Sequence, residues 1–458
     1  MWTPDFAQTD GPRYLALASA IAEAIESGAL KPGAQLPPQR ELAEHLNVTV
    51  GTVGRAYNIV KSRQLVTSQV GRGTFVRDPE DESTLRNYLP ERKPGTIDFA
   101  CYSATATGLA ETLATAMAEA QRNIGLLAMQ RYTPAAGFIS HRSAGAEWIA
   151  RTGLAVPPER VLVCSGAQQA LMVILTALTR AGEVVLTEEL TYSGIKALGT
   201  LLERPLHGVR IDAEGLIPAA LEQAIAETGA RLLYLQPTCH NPTGAMMPES
   251  RRRAIAEIAR RHGLWMIEDD AAIGGLTDRP APLARFAPEH TIYVTGLSKC
   301  ISPGLRVAYA ASPPRLFEHL SRTLHALCLA NSPLQAEVAT AMIQEGSAAL
   351  IAERNLVALA ESHARIGRLL RGVPHSTHPA AFFVWIDLPE HWTAPDFAEA
   401  ARQAGLSVVS GESFSTGDAP RNAIRISVNP TQPAEMVEEG LAALLQLMNE
   451  RRAPMITV

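Results

Sequence analysis

The sequence predicts a multidomain chain, with a small α+β unit at the N-terminus and a large α/β unit behind it. Three observations predict this. Residues 12–77 carry apolar positions at helical spacing and then two short strand-like runs. From about Ile97 onward, short apolar runs alternate with helix-like segments, the pattern of a mostly parallel sheet covered on both faces. Between them, residues 78–96 are polar, charged and bracketed by prolines, which reads as a linker. The expected boundaries are therefore 1–77, 78–96 and 97–458.

In the small unit, Leu17, Ile21 and Ile25 fall on one helical face, and Gly28 ends that helix. Leu30-Lys31-Pro32-Gly33 is a turn, and Pro38 opens a second helix, Gln39 to Leu46, as its first residue. After Asn47-Val48, Thr49 caps a third helix that turns Val53, Tyr57 and Val60 inward. Strands from Leu65 to Ser68 and from Thr74 to Val76 follow, joined through Gly71-Arg72-Gly73.

In the large unit, the strand-like runs are Val161–Val163, Val184–Leu186, Leu232–Leu235, Leu264–Ile267 and Ile292–Val294. Helix-like segments Gln168 to Leu178, Tyr192 to Leu202, Pro218 to Ala226 and Ser250 to His262 separate them. The chemically unusual motifs begin where strands stop, which is where open α/β sheets bind ligands.

Composition narrows the function classes. The chain has 458 residues, 47% hydrophobic and 19% charged, ordinary for globular protein. A net charge of −5 excludes a bulk nucleic-acid binder. Residues 1–77 hold eight Lys and Arg against six Asp and Glu, a balance of +2 that leaves −7 for the rest. That sign suits an N-terminus facing DNA. The five cysteines are scattered and lack metal-site spacing, so reduced thiols in a cytoplasmic protein, with no metal, are expected. The first residues lack a basic flank and an apolar run, and no stretch is apolar enough to span a bilayer, so neither a signal peptide nor a membrane partner is expected.

The third helix of the small unit carries Thr49, Gly51, Thr52 and Arg55 on its outer face, Arg40 starts the preceding helix, and Arg72 tips the hairpin. Small polar and basic residues so placed suit a helix in the major groove and a wing at a phosphate. Each arginine alone is ordinary surface charge. The string Gly28-Ala-Leu-Lys-Pro-Gly-Ala-Gln-Leu-Pro-Pro-Gln-Arg-Glu-Leu-Ala, then Val48 to Tyr57, then Val70 to Val76, resembles the winged helix-turn-helix of the GntR family of bacterial regulators. Many relatives carry an arginine where this chain has Val50, so the operator is not implied.

The large unit contains Asn241-Pro-Thr-Gly244, Glu268-Asp269-Asp270 and Leu297-Ser298-Lys299-Cys300-Ile301-Ser302-Pro303-Gly304-Leu305-Arg306. Alone, these are a common turn, a solvated loop and a surface lysine. In this order at strand ends they suit pyridoxal 5′-phosphate. Lys299 supplies an amine for the aldehyde, with Ser298 beside it. Asp269 keeps the pyridine nitrogen protonated. The Asn241 amide donates to the phenolic oxygen, and Tyr192 stacks on the ring. Gly166, Ala167 and Gln168 open a helix that, with Arg306, holds the phosphate.

This arrangement resembles the fold type I aminotransferases over roughly residues 97–450. The resemblance implies Lys299 and Asp269 as catalytic residues and Arg425 as the clamp for a substrate carboxylate. It implies that Tyr132 reaches the cofactor phosphate of a neighbouring subunit, so the protein is a dimer. Two positions depart from the family. Ala271 and Ala272 stand where a tyrosine usually donates to the phenolic oxygen, and Gly296 stands where a hydroxyl residue binds phosphate. Efficient transamination is therefore in doubt.

Both halves together resemble the MocR subfamily of transcriptional regulators. The resemblance implies a cofactor-dependent DNA-binding dimer that senses an amino acid or amine through an aldimine at Lys299. Two alternatives stand beside it: an aminotransferase with an appended DNA-binding domain, and a repressor whose large unit only dimerises.

Overall fold

The computed structural model describes all residues except 1, 3, 5–11, 63–64, 70–72, 77–95, 104–107, 126–129, 272–275, 418–420 and 451–458. The chain divides into two compact units, Met1–Pro94 and Gly95–Val458. Nearly all of the expected linker, Arg72 and Ala272 lie outside the described residues.

The small unit has helices Arg13–Glu26, Gln39–His45 and Val50–Ser62, then the antiparallel strands Val66–Gln69 and Gly73–Val76. Leu17, Ile21, Leu42, Val53, Tyr57 and Val60 close its core. The Tyr57 ring is buried, and its hydroxyl donates to the Pro37 carbonyl at 2.7 Å, so burial leaves no orphaned polar group. Thr49 caps the third helix as expected, its Oγ1 accepting from the Thr52 amide at 3.2 Å. Pro38 is the residue before the second helix rather than its first member. The difference is one residue, because a proline with extended ψ stops just short of helical geometry.

The large unit is built on a seven-stranded sheet. Its order is Val161–Cys164, Ala308–Ala311, Thr291–Gly296, Trp265–Asp269, Leu232–Leu235, Val185–Glu188, Leu206–Val209. Ala308–Ala311 is antiparallel to both neighbours, and the other pairings are parallel. Val161–Cys164, Val185–Glu188, Leu232–Leu235 and Thr291–Gly296 are buried along their whole length, as a sheet covered on both faces requires. The register pairs Glu268 with Leu235 and Asp269 with Val294, so neighbouring strands end side by side. One edge of the sheet therefore collects the residues that follow each strand.

A second, antiparallel sheet contains His375–Ser376, Phe383–Asp387, Ala423–Ser427 and Val409–Ser410. Ile424 and Ile426 enter the core of this lobe, and strand alternation turns Arg425 to the other face, opposite Trp385. Among the described residues, no helix is long and apolar enough to cross a membrane.

Candidate functional site

Four motif segments converge on the carboxyl edge of the seven-stranded sheet. Gly166 and the helix Ala167–Leu178 follow Val161–Cys164, and Tyr192 follows Val185–Glu188. Asn241 follows Leu232–Leu235, and Lys299 follows Thr291–Gly296. Asp269 is itself the last residue of Trp265–Asp269, a strand that runs two residues past its expected end.

Lys299 lies beside a pair of aromatic rings, its Nζ 5.0 Å from the Phe382 centroid and 5.6 Å from that of Tyr102. Burial lowers its pKa, and the positive charges of Arg425 and Arg306 lower it further against Cys101. An amine with a lowered pKa is more often neutral and hence nucleophilic.

Asp269 is buried and accepts three hydrogen bonds. Tyr234 Oη donates to Oδ2 at 2.6 Å, Gln236 Nε2 to the same oxygen at 3.3 Å, and the Ala271 amide to Oδ1 at 3.0 Å. Burial pushes the carboxyl up to about 6, and these donors restrain it. A cation brought to this carboxylate would find an ionised, oriented partner. Its neighbour Asp270 is bound to Arg279 and accepts from Tyr293 Oη, so it already has its cation.

Asn241 is 3% exposed. Its Oδ1 accepts from Arg425 Nη1 at 3.1 Å, which leaves the amide NH2 as a donor. Arg425 Nη2 donates to the Ala100 carbonyl at 3.2 Å. Phe414 and Phe383 lie 5.0 and 5.8 Å from the guanidinium. Burial lowers the Arg425 pKa to about 10, and among the described residues its hydrogen bonds go only to neutral oxygens.

Gly166 has φ of +85°, a backbone region that favours glycine. A Cβ there would fall 2.5 Å from Arg306 Nη2, so only glycine lets the guanidinium lie against the helix start. Backbone amides at a helix start beside one cation are a combination that suits an anion. The Gln168 side chain leaves its backbone amide at the helix start and donates from Nε2 to the Gly194 carbonyl at 2.9 Å, tying this helix to the one that starts after Tyr192. Gly244 packs with equal tightness. A Cβ would stand 2.7 Å from the Thr377 backbone.

Tyr192 is influenced by Asp269, Arg306 and Arg425 together, which places its phenol among the three assigned charges. Burial raises its pKa, and Asp269 adds to this. Ser298 is half-buried beside Lys299. Tyr132 is 83% exposed, and no described contact brings it to the pocket of its own chain. At Gly296 a Cβ would stand 3.3 Å from the Val307 carbonyl and the Ala308 Cβ, so a larger residue is tightly limited.

Sequence reasoning missed the support beneath these residues. Tyr234 and Gln236 hold Asp269. Behind Asn241, His240 Nδ1 meets Thr243 Oγ1 at 2.7 Å and Nε2 meets the Leu190 carbonyl at 2.8 Å. Burial works against a charged imidazole there, but Glu188 at 3.4 Å outweighs it and the His240 pKa is raised. The clue was a hydroxyl or charge inside an apolar strand run, because a buried polar group must find a partner.

In the small unit Arg40, Thr49, Gly51 and Arg55 are exposed and Thr52 is half-exposed. Arg55 lies 5.8 Å from the Tyr14 ring centroid.

The residues fit pyridoxal phosphate on the geometry alone. A half-buried amine, a buried carboxylate, an amide donor and a cation lying against a glycine share one strand edge.

Comparison with known proteins agrees. Residues 103–444 match the aminotransferase class I and II family, and residues 13–76 match the gntR family of bacterial regulatory proteins. The HTH-type transcriptional regulator YdeF of Bacillus subtilis is 30% identical over 98% of this chain and 97% of its own length. The 2-aminoadipate transaminase of Thermus thermophilus is 31% identical, covering 79% of this chain and 92% of that protein. The structure of LysN, an α-aminoadipate aminotransferase of Thermus thermophilus solved with N-(5′-phosphopyridoxyl)-L-leucine, matches with a TM-score of 0.70. It is 28% identical and covers 80% of this chain and 95% of its own. An archaeal alanine:glyoxylate aminotransferase, 24% identical with a TM-score of 0.71 over 81% of this chain and 94% of its own, shares the fold.

Proposed function

The chain belongs to the aminotransferase class I and II family, joined to a GntR-family reader as in the MocR regulators, and we propose that its large unit senses an amino acid or amine at Lys299 on behalf of that reader. It is a DNA-binding transcriptional regulator fused to a pyridoxal phosphate-dependent aminotransferase-like domain.

Bound pyridoxal phosphate supplies an aldehyde that condenses with primary amines and a ring that withdraws electrons. The chain's residues do the rest. Lys299 presents its lowered-pKa amine beside two rings. Asp269 would meet the protonated ring nitrogen, Asn241 would donate to the phenolic oxygen, and Tyr192 would cover a face. Gly166, Ala167, Gln168, Ser298 and Arg306 would hold the cofactor at its phosphate end, joined by Tyr132 of a second subunit. Arg425 receives a carboxylate. In the reader, Arg40, Thr49, Gly51, Thr52, Arg55 and Arg72 meet the operator.

One observation carries this reading. The half-buried Lys299 amine shares its pocket with Arg425, whose hydrogen bonds among the described residues go only to neutral oxygens. Such a pocket is built to receive a carboxylate-bearing amine. The LysN structure supports the same use, since its ligand joins a pyridoxyl group to an amino acid. Occupancy biases the reader only if the incoming molecule binds two arrangements of the dimer with different affinity. Turnover is secondary in this reading. Ala271 offers no hydroxyl to the phenolic oxygen, and Gly296 offers none to the phosphate. We place the protein in the cytoplasm, where its DNA lies.

Purified protein tests the reading. It should carry a near-visible absorbance band that Lys299→Ala removes, with little keto-acid formation over an amino-acid panel. Rapid keto-acid formation with no change in DNA affinity would favour the aminotransferase alternative, for which the 2-aminoadipate transaminase likeness speaks.

A further inference from the structure

We propose that the molecule accepted at Lys299 is an α-amino acid with an uncharged, largely apolar side chain, and that neither a dicarboxylic amino acid nor a simple amine substitutes for it. The inference rests on the reading of the pocket given above and narrows it.

The carboxylate requirement follows from Arg425. Its two terminal nitrogens donate to neutral oxygens, Asn241 Oδ1 at 3.1 Å and the Ala100 carbonyl at 3.2 Å. Its Nε is buried and has no partner among the described residues. A buried guanidinium that meets only dipoles is costly, and an incoming carboxylate removes that cost by pairing with it. An amine lacking the carboxylate leaves Arg425 as it stands.

The side-chain requirement follows from the walls. Tyr102 and Phe382 lie 4.8 Å apart at their centroids, and both lie beside the Lys299 amine. Phe383 packs edge-on against Phe382 at 5.0 Å. An amino acid whose nitrogen occupies the Lys299 position and whose carboxylate meets Arg425 has these rings beside its remaining substituent. A second carboxylate would need a second cation. Among the described residues, the cations beside Lys299 are Arg425 and Arg306. Arg425 is committed to the first carboxylate and Arg306 to the helix start at Gly166. Among the described residues, the buried cations Arg279, Arg252 and His240 are already matched, to Asp270, Glu268 and Glu188. An aspartate or glutamate side chain would therefore lose its water against two rings and, among the described residues, gain at most a hydrogen bond from the Tyr102 hydroxyl in place of an ion pair.

The test is a spectral titration of the full-length, cofactor-loaded protein. The ligands are L-leucine, L-phenylalanine, L-glutamate and isopentylamine, which is leucine without its carboxylate. We expect leucine and phenylalanine to bind at least about tenfold more tightly than the other two. Tyr102→Lys, which places a cation at the wall, should move the glutamate-to-leucine ratio toward glutamate by about tenfold or more. A residue that only supports the fold would change all affinities together and leave the ratio alone. Phe382→Leu keeps an apolar wall and should keep the order of preference. Glutamate binding as tightly as leucine to the wild type, or isopentylamine as tightly as leucine, overturns the inference while leaving the effector reading intact. No spectral response to any of the four overturns that reading, and this inference with it.

Discussion

The two units use charge in opposite ways. In the small unit the assigned residues Arg40, Thr49, Gly51 and Arg55 are exposed, and the core beneath them is wholly apolar apart from the satisfied Tyr57 hydroxyl. In the large unit Asp269, Asn241 and Gly166 are buried and Lys299, Tyr192 and Arg425 are half-buried, with Arg306 and Tyr132 exposed, and several are costly where they stand. Asp269 is pushed up to about 6 and Arg425 down to about 10, both by burial. The difference follows from the ligands. DNA comes to a surface and brings its own counterions, so a reader needs only exposed donors on a rigid helix. A small cofactor must be enclosed, so its partners are desolvated before it arrives. The reader is therefore stable without its ligand, whereas the pocket is stabilised by its ligand.

Removing a buried partner should show this contrast most strongly. Asp269→Ala should weaken pyridoxal phosphate binding by about 3 kcal/mol, roughly a hundredfold, measured by equilibrium dialysis against absorbance. A change under threefold would mean that Asp269 does not face the ring nitrogen.

The same residue should act with the opposite sign when the cofactor is removed. The folded-state pKa of Asp269 is raised from 3.8 to about 6, so the folded protein favours the neutral carboxyl. Stability associated with that proton is present below pH 3.8 and is lost as pH rises through about 6. In the cofactor-free protein, Asp269→Asn should match the wild type near pH 4. It should be more stable by on the order of 3 kcal/mol above pH 6. Urea melts at several pH values measure this, and parallel stability curves would contradict it.

Tyr234→Phe removes the shortest of the three bonds to Asp269. It should cost the loaded protein about 1–2 kcal/mol and move Asp269 to a higher titration midpoint. The readout is the pH dependence of cofactor affinity, whose acid limb should shift upward. A uniform loss at every pH would indicate packing alone.

The smallest effect belongs to the reader. Arg55→Ala should weaken operator binding by about 1 kcal/mol, reduce the salt slope by about one, and leave the absorbance band unchanged. A salt slope equal to that of the wild type would remove Arg55 from the phosphate contacts.

The same contrast explains what the sequence made legible. Apolar runs located the strands near Val161, Val185, Leu232, Trp265 and Thr291, because a sheet buried on both faces has a plain signature. The motifs around Asn241, Asp269 and Lys299 fell at strand ends as expected. The strand Ala308–Ala311 was not legible. Its run Ala-Tyr-Ala-Ala has little intrinsic strand preference, and it is fixed by antiparallel partners on both sides. The supporting bonds were hidden for a related reason. Tyr234 reaches Asp269 across 35 residues of sequence, and Tyr102 meets Phe382 from the far end of the unit. Pairings of that kind belong to the tertiary structure, and a single sequence shows only that a buried hydroxyl needs some partner. In the reader, surface exposure alone did not separate Arg55 from an ordinary charged residue.

The central claim is that the Lys299 pocket and the reader are energetically coupled. The most direct test measures both directions of that coupling. Operator affinity is determined by fluorescence anisotropy with and without saturating L-leucine, and leucine affinity with and without saturating operator. Thermodynamic linkage requires the two ratios to be equal, and coupling requires them to differ from one, here by about fivefold or more, with the effect abolished in Lys299→Ala. Ratios of one in both directions, for a protein that demonstrably binds leucine and operator, would contradict the account.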